Sequence, residues 1–288
     1  MAGYEQNAIT RCFDVLAKDL EPSLFEYTSV SRCQSSIEKY LGGFIKTFTT
    51  VLPGAFARGT MIAPLNESVV NMLILFKHEF RDKFLPSELL NKLDATLRAE
   101  YPGSVNDGAT KSVYVPIENF EFRIQPGFMT TGSDYLTPSS DYDEWIEYDA
   151  LGYANQFSKE NAKHKGRMIH LVRMMKMWNR QTGNIFDGYF IELLVRDILL
   201  QHEIQSYPQT LSYLFKKILY DVALKKHDPA NISIKILGLH DLENVVNAML
   251  HVKSAYLVSL QALEHEEAGN MVAALECWKK LFPVYFED

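Results

Sequence analysis

The chain has 288 residues, of which 47% are hydrophobic and 23% are charged, and a formal net charge of −7. This composition is typical of an ordinary globular protein that buries a sizeable core. The sequence contains no run of roughly 20 apolar residues of the kind a membrane helix needs, and its N-terminus lacks the pattern of a secretory signal, so we expect no membrane association and a cytoplasmic location. The negative charge makes duplex nucleic acid an unlikely partner.

The three cysteines do not form a pattern that points to redox or metal chemistry. Cys12, Cys33 and Cys277 are odd in number and widely separated, with no CxxC pair. A disulfide framework or a zinc site is therefore not predicted. We expect buried thiols with a structural role.

The chain opens with two predicted helices and a buried strand. Apolar residues recur at helical spacing between residues 7 and 46, which predicts two helices. Pro53-Gly54 interrupts this pattern. The dense apolar run VVNMLILF, at 69–76, then predicts a buried strand.

The next segments predict a sheet flanked by helices, followed by a helical second half. A helix is predicted from an N-cap at Ser87 to Gly103, and the strands SVYVP and NFEFRIQP are expected to break at Pro116 and Pro126. The segment TTGSDYLTPSSDYDEW is polar and predicts a loop. Helical spacing then predicts helices over 162–178, 189–202, 210–224 and 241–286, the last with a break near Gly269-Asn270.

The stretch GAFARGT, at 54–60, lies just before the predicted strand. A glycine-bearing turn can bring backbone N–H groups close to a phosphate, because glycine has no Cβ to block the approach. Polymerase-type nucleotidyl transfer further needs two carboxylates one residue apart on the next strand and a third on a neighbouring strand, which together hold two Mg²⁺ ions. A glycine turn alone is equally typical of a purely structural turn.

The sequence GAFARGTMIAPLNES resembles the glycine signature of the cGAS/DncV-like nucleotidyltransferases, which are bacterial antiphage enzymes that make cyclic oligonucleotides. Gly54, Arg58, Gly59 and Thr60 fall in register with that signature. The resemblance continues in order through FEFRIQPGF, YLTPSSDYDEWIEYDALGYANQFSKENAKHKGRMIHLVRMMKMWNR, GYFIELL and AALECWKKLFPVYF.

The resemblance implies an α+β fold. A mixed-sheet, polymerase β-like nucleotidyltransferase core would pack against a helical C-terminal lobe, with the nucleotide cleft between them. We place the core with its N-terminal helices at 1–150 and the helical lobe at 151–288.

The residues at the positions that carry the family's chemistry differ in this chain. Ala55 replaces the signature serine. Val69 and Asn71 stand where the first two aspartates are expected, and Arg123 stands at the third. Valine offers no metal ligand, asparagine offers one neutral oxygen, and an arginine would repel Mg²⁺.

In the helical lobe the resemblance implies a phosphate-contacting lysine at Lys176, while Gly188 replaces a serine. A lysine on a helix is more often a solvated or cleft-edge charge, so both interpretations stay open. The candidate phosphate contacts are Gly54, Ala55, Arg58, Gly59, Thr60, Arg123 and Lys176.

The substitutions favour a catalytically inactive relative that needs no metal cofactor. It would act as a binding or regulatory component in bacterial antiphage defence, with a protein partner and with a nucleotide or cyclic oligonucleotide as its ligand. Arg123 would either bind phosphate or pair with Glu121 or Glu67 and close the cleft.

The alternative is an active nucleotidyltransferase that holds Mg²⁺ with displaced acids. Residues two apart on a strand face the same way, so Glu67 would share the face of Val69, and Glu121 that of Arg123. Each such step moves a side chain by about 6.5–7 Å. This displacement exceeds the extra reach of one methylene, so the sequence disfavours the rescue.

Overall fold

The computed structural model describes residues 2–44, 48–130, 135–139, 141–221, 226–236, 239, 242–283 and 285–286. The chain divides into two compact units. The sheet unit comprises Pro22–Ser158 and Pro229–Ile232, and the helical unit comprises Met1–Glu21, Lys159–Asp228 and Ser233–Asp288.

The helices are α1 (Ala2–Asp19), α2 (Leu24–Gly42), α3 (Ala55–Arg58), α4 (Pro86–Glu100), α5 (Ala150–Lys163), α6 (Arg167–Gln181), α7 (Gly188–Leu199), α8 (Tyr207–Asp221), α9 (Leu242–Glu267) and α10 (Met271–Leu281). The strands are β1 (Phe48–Val51), β2 (Val69–Phe76), β3 (Val105–Asp107), β4 (Ser112–Ile117), β5 (Phe120–Met129), β6 (Tyr135–Pro138), β7 (Trp145–Tyr148), β8 (Lys226–Asp228) and β9 (Asn231–Ile236). Two 3-10 turns lie at Leu65–Glu67 and His78–Lys83.

Within the described residues, seven strands form one mixed sheet in the order β1-β2-β5-β4-β3, with β6 added to β5 and β7 added to β6. β2 and β5 run parallel, and the other neighbours run antiparallel. Alternate residues of β2 and β5, such as Val70 and Phe122, enter a core shared with α2 and α4. The predicted strand at 69–76 and the predicted burial of Leu73, Leu75 and Phe76 are confirmed.

The predicted strand breaks at Pro116 and Pro126 are wrong, because β4 and β5 run through these residues. Each proline lies where the neighbouring strand on one side has ended. β3 pairs only with residues 112–114 of β4, and β4 pairs only with residues 120–124 of β5. Proline is tolerated at such positions because its missing N–H removes no ladder hydrogen bond on the unpaired side.

The segment predicted as a polar loop contains β6, and β7 begins at its last residue, Trp145. These short strands form by pairing with the end of β5 and with each other. The Trp145 ring packs edge-on against Phe128 at 4.8 Å between centroids, and its Nε1–H donates to the Phe84 carbonyl at 3.0 Å. Tertiary pairing therefore decides the structure here, against the local composition.

Two predicted helix boundaries move. α4 begins at Pro86, with Leu85 at the N-cap, because proline suits the first helical position. Ser87 instead donates its backbone N–H and its hydroxyl to the Asp143 carboxylate, at 2.9 and 2.5 Å. The helix predicted over 162–178 crosses the junction of α5 and α6, where Lys165 and Gly166 have φ values of 56° and 82°.

The helical unit has a core of its own. The predicted burial of Val172, Met175 and Trp178 is confirmed. α1 contributes Phe13, whose ring packs edge-on against Trp278 at 4.9 Å. The apolar face of α1 contacts α6 and α10. α1 therefore belongs to the same compact unit as the helices after residue 158, whereas we had placed it with the sheet.

The structure describes all three cysteines. Cys33 and Cys277 are buried as predicted, whereas Cys12 is half-buried. Burial raises the pKa of the Cys33 thiol to about 11.

No described helix has both the length and the apolar character that a membrane span requires. The parts of predicted helices and of the predicted loop that lie outside the described residues are 45–46, 131–134, 140, 222–224, 241 and 284.

Candidate functional site

Val69, Asn71 and Arg123 lie together on the second face of the sheet, which we define as the face of β2 and β5 opposite the core. The parallel register pairs Val69 with Glu121 and Asn71 with Arg123. Neighbouring strands are about 4.8 Å apart and alternate residues point the same way. The side chains of Asn71 and Arg123 are therefore neighbours, and both are half-buried, while Val69 is 41% exposed.

Gly54 brings the glycine turn up against Asn71. Its φ of 74° is in the region that disfavours side chains, and a Cβ on it would lie 3.1 Å from Asn71 Nδ2. Glycine is therefore required here both by backbone conformation and by the close approach of Asn71. Gly59 ends the one-turn helix α3 in the left-handed conformation, with φ of 67°.

The backbone amides at the end of this turn are already used. The N–H groups of residues 58, 59 and 60 donate to the carbonyls of Gly54, Phe56 and Ala55, at 3.1, 3.2 and 2.9 Å. These three amides close the turn rather than pointing at a ligand. The predicted backbone contacts to phosphate receive no support from this part of the turn.

Two of the predicted phosphate-binding side chains are turned into the protein. Arg58 is only 6% exposed, and its guanidinium carbon lies 5.0 Å from the ring centroid of Tyr153. This is the geometry of a cation–π contact. Thr60 is fully buried, and Ala55 carries no hydroxyl.

Arg123 is held by β4 and the turn before it. Its Nε–H donates to Ser112 Oγ at 2.9 Å, and Nη2 donates to the Thr110 carbonyl at 3.3 Å. Gln125 Nε2 donates to the same carbonyl at 2.9 Å. We call Thr110, Ser112, Arg123 and Gln125 the Arg123 bracket.

The predicted ion pair of Arg123 with Glu121 or Glu67 is wrong, because the described structure directs its donors to the Arg123 bracket instead. Asp107 is a carboxyl group near both Thr110 and Arg123. The Thr110 hydroxyl hydrogen bond is the main cause that lowers the pKa of Asp107, and the positive charge of Arg123 adds a smaller contribution in the same direction.

The residues on the second face do not fit the Mg²⁺ that the resemblance implies. Glu121 is exposed beside Val69, but Glu67 lies in a 3-10 turn before β2, where strand alternation does not place it on this face. Within the described part of the chain, no group of three or more His, Cys, Asp or Glu side chains is placed to hold a metal ion. Mg²⁺ needs a near-octahedral set of oxygens at about 2.1 Å. One carboxylate, one amide and a neighbouring guanidinium do not supply that set.

Lys176, in the helical unit, is part of a buried ion pair. Its Nζ donates to Glu192 Oε2 at 3.1 Å, and the two side chains are 11% and 0% exposed. Gly188 begins α7 nearby, and a Cβ on it would lie 4.0 Å from Lys176 Cε. Glu192 is a partner that the sequence analysis missed; the signal was an acidic residue inside the apolar run of GYFIELL. The phosphate role of Lys176 stays a prediction.

Residues 8–161, more than half of the chain, match the Second Messenger Oligonucleotide or Dinucleotide Synthetase domain. The chain belongs to the cGAS/DncV-like nucleotidyltransferase family. The family predicted from the glycine turn and the segments after it is therefore confirmed.

Curated relatives of the chain are named as synthases. A probable cyclic nucleotide synthase of Bacillus cereus strain VD146 is 22% identical over 266 residues, which cover 80% of this chain and 79% of the relative. A cyclic AMP-AMP-AMP synthase of Acinetobacter sp. is 25% identical over 223 residues, which cover 70% of this chain and 62% of the relative.

Solved structures of the family share the fold. CdnC of E. coli MS115-1, solved with ATP, superposes with a TM-score of 0.75 at 17% identity and covers 97% of this chain and 99% of its own. The DncV cyclic AMP-GMP synthase of Vibrio cholerae superposes with a TM-score of 0.66 at 14% identity and covers 88% of this chain and 76% of its own. The predicted α+β nucleotidyltransferase fold with a mixed sheet is confirmed.

Proposed function

We propose that this chain is a catalytically inactive member of its family that acts as a binding or regulatory component. The observation that carries this proposal is the set of residues on the second face, where Val69, Asn71 and Arg123 stand together. Metal-dependent transfer relies on carboxylates to hold the ions that activate the attacking hydroxyl and neutralise the leaving pyrophosphate. An apolar side chain, a neutral amide and a cation supply none of these.

The biological setting and the partner are part of the same proposal. The chain would work in bacterial antiphage defence, where the family it belongs to is active. CdnC of E. coli MS115-1 has been solved in a complex with a HORMA protein. This supports the proposal that a protein partner uses the present chain as a scaffold, with a nucleotide or cyclic oligonucleotide as ligand.

The second candidate is an active synthase, and the names of the relatives favour it. Both curated relatives are named as cyclic nucleotide synthases. Glu121 would have to take over a metal-binding role, because it stands beside Val69 on the second face. Glu67 would need a rearrangement of the 3-10 turn in which it lies.

A product assay separates the two candidates. Purified chain is incubated with labelled ribonucleoside triphosphates, singly and mixed, in Mg²⁺ and in Mn²⁺, beside an active relative. We expect no linear or cyclic oligonucleotide. A metal-dependent product that is lost in Glu121→Gln and retained in Glu79→Gln would establish the active synthase. Glu79 is an exposed glutamate in the 3-10 turn that follows β2, at the opposite end of that strand from Val69.

A further inference from the structure

Arg123 differs from Arg196 and Lys176, two cations that the structure buries beside a carboxylate. Arg196 makes two hydrogen bonds to Glu160, both at 2.7 Å, and Lys176 pairs with Glu192 at 3.1 Å. These pairs follow the rule that a charge removed from water is matched by an opposite charge. Arg123 is half-buried, yet its described hydrogen bonds go only to neutral oxygens.

No described carboxylate contacts Arg123, although the chain has 36 acidic residues against 29 lysines and arginines. Asp107 and Glu121 lie near Arg123. Asp107 feels the charge of Arg123, but it is engaged by the Thr110 hydroxyl and by the Ala109 amide. Glu121 lies two residues along β5, which is about 6.5–7 Å. Neither forms an ion pair with Arg123 among the described residues.

The Arg123 bracket fixes the guanidinium in one orientation. Nε and Nη2 are held by Ser112, which is fully buried, and by the Thr110 carbonyl. No described residue accepts a hydrogen bond from Nη1 of Arg123. A planar, pre-oriented guanidinium whose Nη1 edge has no acceptor among the described residues matches the oxygens of a phosphate, and its fixed side chain loses little entropy when a ligand binds.

We propose that Arg123 is a metal-independent receptor for a phosphate group, and that the group belongs to a nucleotide. The inference rests on the proposed function, because a cation fixed on the second face and a Mg²⁺ ion would repel each other there. The half-buried guanidinium would then take its missing counter-charge from the ligand. Asn71, its register partner on β2, adds a neutral donor and acceptor to the same face.

Glu121 provides a test that distinguishes a phosphate-binding arginine from a purely structural one, because its substitution should change the affinity for phosphate only in the first case. Its exposed carboxylate shares the second face with Arg123 and would repel a bound phosphate. Neutralising it in Glu121→Gln should strengthen binding by a few-fold. If Arg123 only holds the turn before β4, the same substitution has no effect on phosphate binding.

Isothermal titration calorimetry at low ionic strength with EDTA present tests the receptor. The probes are ATP, GTP, inorganic pyrophosphate and inorganic phosphate. We expect ATP or GTP to bind, Arg123→Met to weaken that binding roughly tenfold or more, and Arg123→Lys to restore it only in part. Ser112→Ala keeps the guanidinium and loosens the bracket, so a smaller loss is expected.

Arg98→Met is the matched control, because Arg98 is an exposed arginine of the same unit that pairs with Asp94 on α4. The melting temperature of each variant is measured alongside, so that a folded protein is titrated. Absence of binding by all probes at millimolar concentration in the folded wild type overturns the receptor. Binding that Arg123→Met, Arg123→Lys and Glu121→Gln all leave unchanged also overturns it.

The choice of probes shows whether the bound phosphate belongs to a nucleotide. The product assay keeps the test of the receptor separate from the test of the inactive enzyme. Binding of pyrophosphate or phosphate as tight as that of ATP overturns the assignment to a nucleotide. The product assay on the same preparation tests the inactive-enzyme proposal by itself. Loss of the receptor with no product leaves that proposal standing, whereas a metal-dependent product overturns it whatever the calorimetry shows.

Discussion

Val69 is an apolar residue that stands 41% exposed beside the carboxylate of Glu121 on the neighbouring strand. We expect Val69→Asp to lower the melting temperature when no divalent metal is present. Like charges opposite each other on a sheet cost roughly 0.2–1 kcal/mol, which corresponds to about 1–4 °C in a protein of this size. Thermal melts at low and high salt check this, since salt should reduce the loss.

Val69→Asn is the matched control for this substitution, because asparagine has the shape of aspartate and is similarly poor in strands, but carries no charge. Its melting temperature should be higher than that of Val69→Asp. A rise in Val69→Asp, or equal melting temperatures for the two variants, would contradict the electrostatic explanation.

The sequence was sufficient to predict that Val69 and Asn71 share a face of the sheet, but not to predict the hydrogen-bond partners of Arg123. Val69 and Asn71 are separated by one residue on a strongly apolar strand, so their shared face followed from strand alternation. The contacts of Arg123 depend on the register between β4 and β5, which places Ser112 and the Thr110 carbonyl beside it. Strand register is a property of the assembled sheet, so composition and periodicity did not reveal these contacts.

Among the helices, α2 begins with a capping box that also reaches the segment before β2. Ser23 Oγ accepts from the Glu26 amide at 3.2 Å, and Glu26 Oε2 accepts from the Ser23 amide at 2.8 Å. Glu26 Oε1 accepts from the Leu65 amide at 2.8 Å. One carboxylate therefore ties the start of α2 to the 3-10 turn that leads into β2.

The hydrogen bonds to Glu26 predict a dependence of stability on acid. Burial raises the pKa of this carboxyl, but the hydrogen bonds from Leu65 and Ser23 outweigh burial and leave the pKa below the ordinary value of 4.5. Because the folded value is the lower one, the stabilisation is complete above 4.5 and is lost as the pH falls through the folded value. We expect urea denaturation to show a smaller loss of stability below this pH in Glu26→Gln than in wild type.

Glu79→Gln serves as the control for this experiment, since Glu79 is an exposed glutamate for which the structure gives no hydrogen bond. Its profile should follow that of the wild type. If the free energy of unfolding falls equally with pH in Glu26→Gln and in the wild type, the hydrogen bonds from Leu65 and Ser23 do not stabilise the ionised carboxylate of Glu26.

Elements with a strong local pattern were predictable, and elements made by pairing were not. The eight-residue run of β2 and the break between α9 and α10 at Gly269-Asn270 were read directly from the sequence. β6 lies in a polar segment and exists because the end of β5 offers it a partner, and β7 in turn pairs with β6. The prolines of β4 and β5 do not break their strands, because the effect of a proline depends on which neighbouring strand has ended.

Considered as a whole, the chain begins in the helical unit, passes through the sheet unit and then returns. The predicted division at 150/151 missed this path, because the apolar spacing of α1 shows that the helix is buried without showing which partner buries it. Phe13 identifies the partner. Its fully buried ring lies 4.9 Å from Trp278, 5.2 Å from Phe286 and 6.3 Å from Phe282.

Phe13→Ala should therefore destabilise the helical unit across a sequence separation of more than 260 residues. Loss of a buried phenylalanine costs roughly 3–5 kcal/mol through lost burial and the cavity left behind. Hydrogen exchange checks where the loss falls: amide protection in α6 and α10 should drop, because these helices contact α1. Val15→Ala on the same helix removes a side chain that is 52% exposed and should change stability by about 0.5 kcal/mol or less. If Phe13→Ala leaves the protection of α6 and α10 at the level of Val15→Ala, α1 does not form part of the helical core.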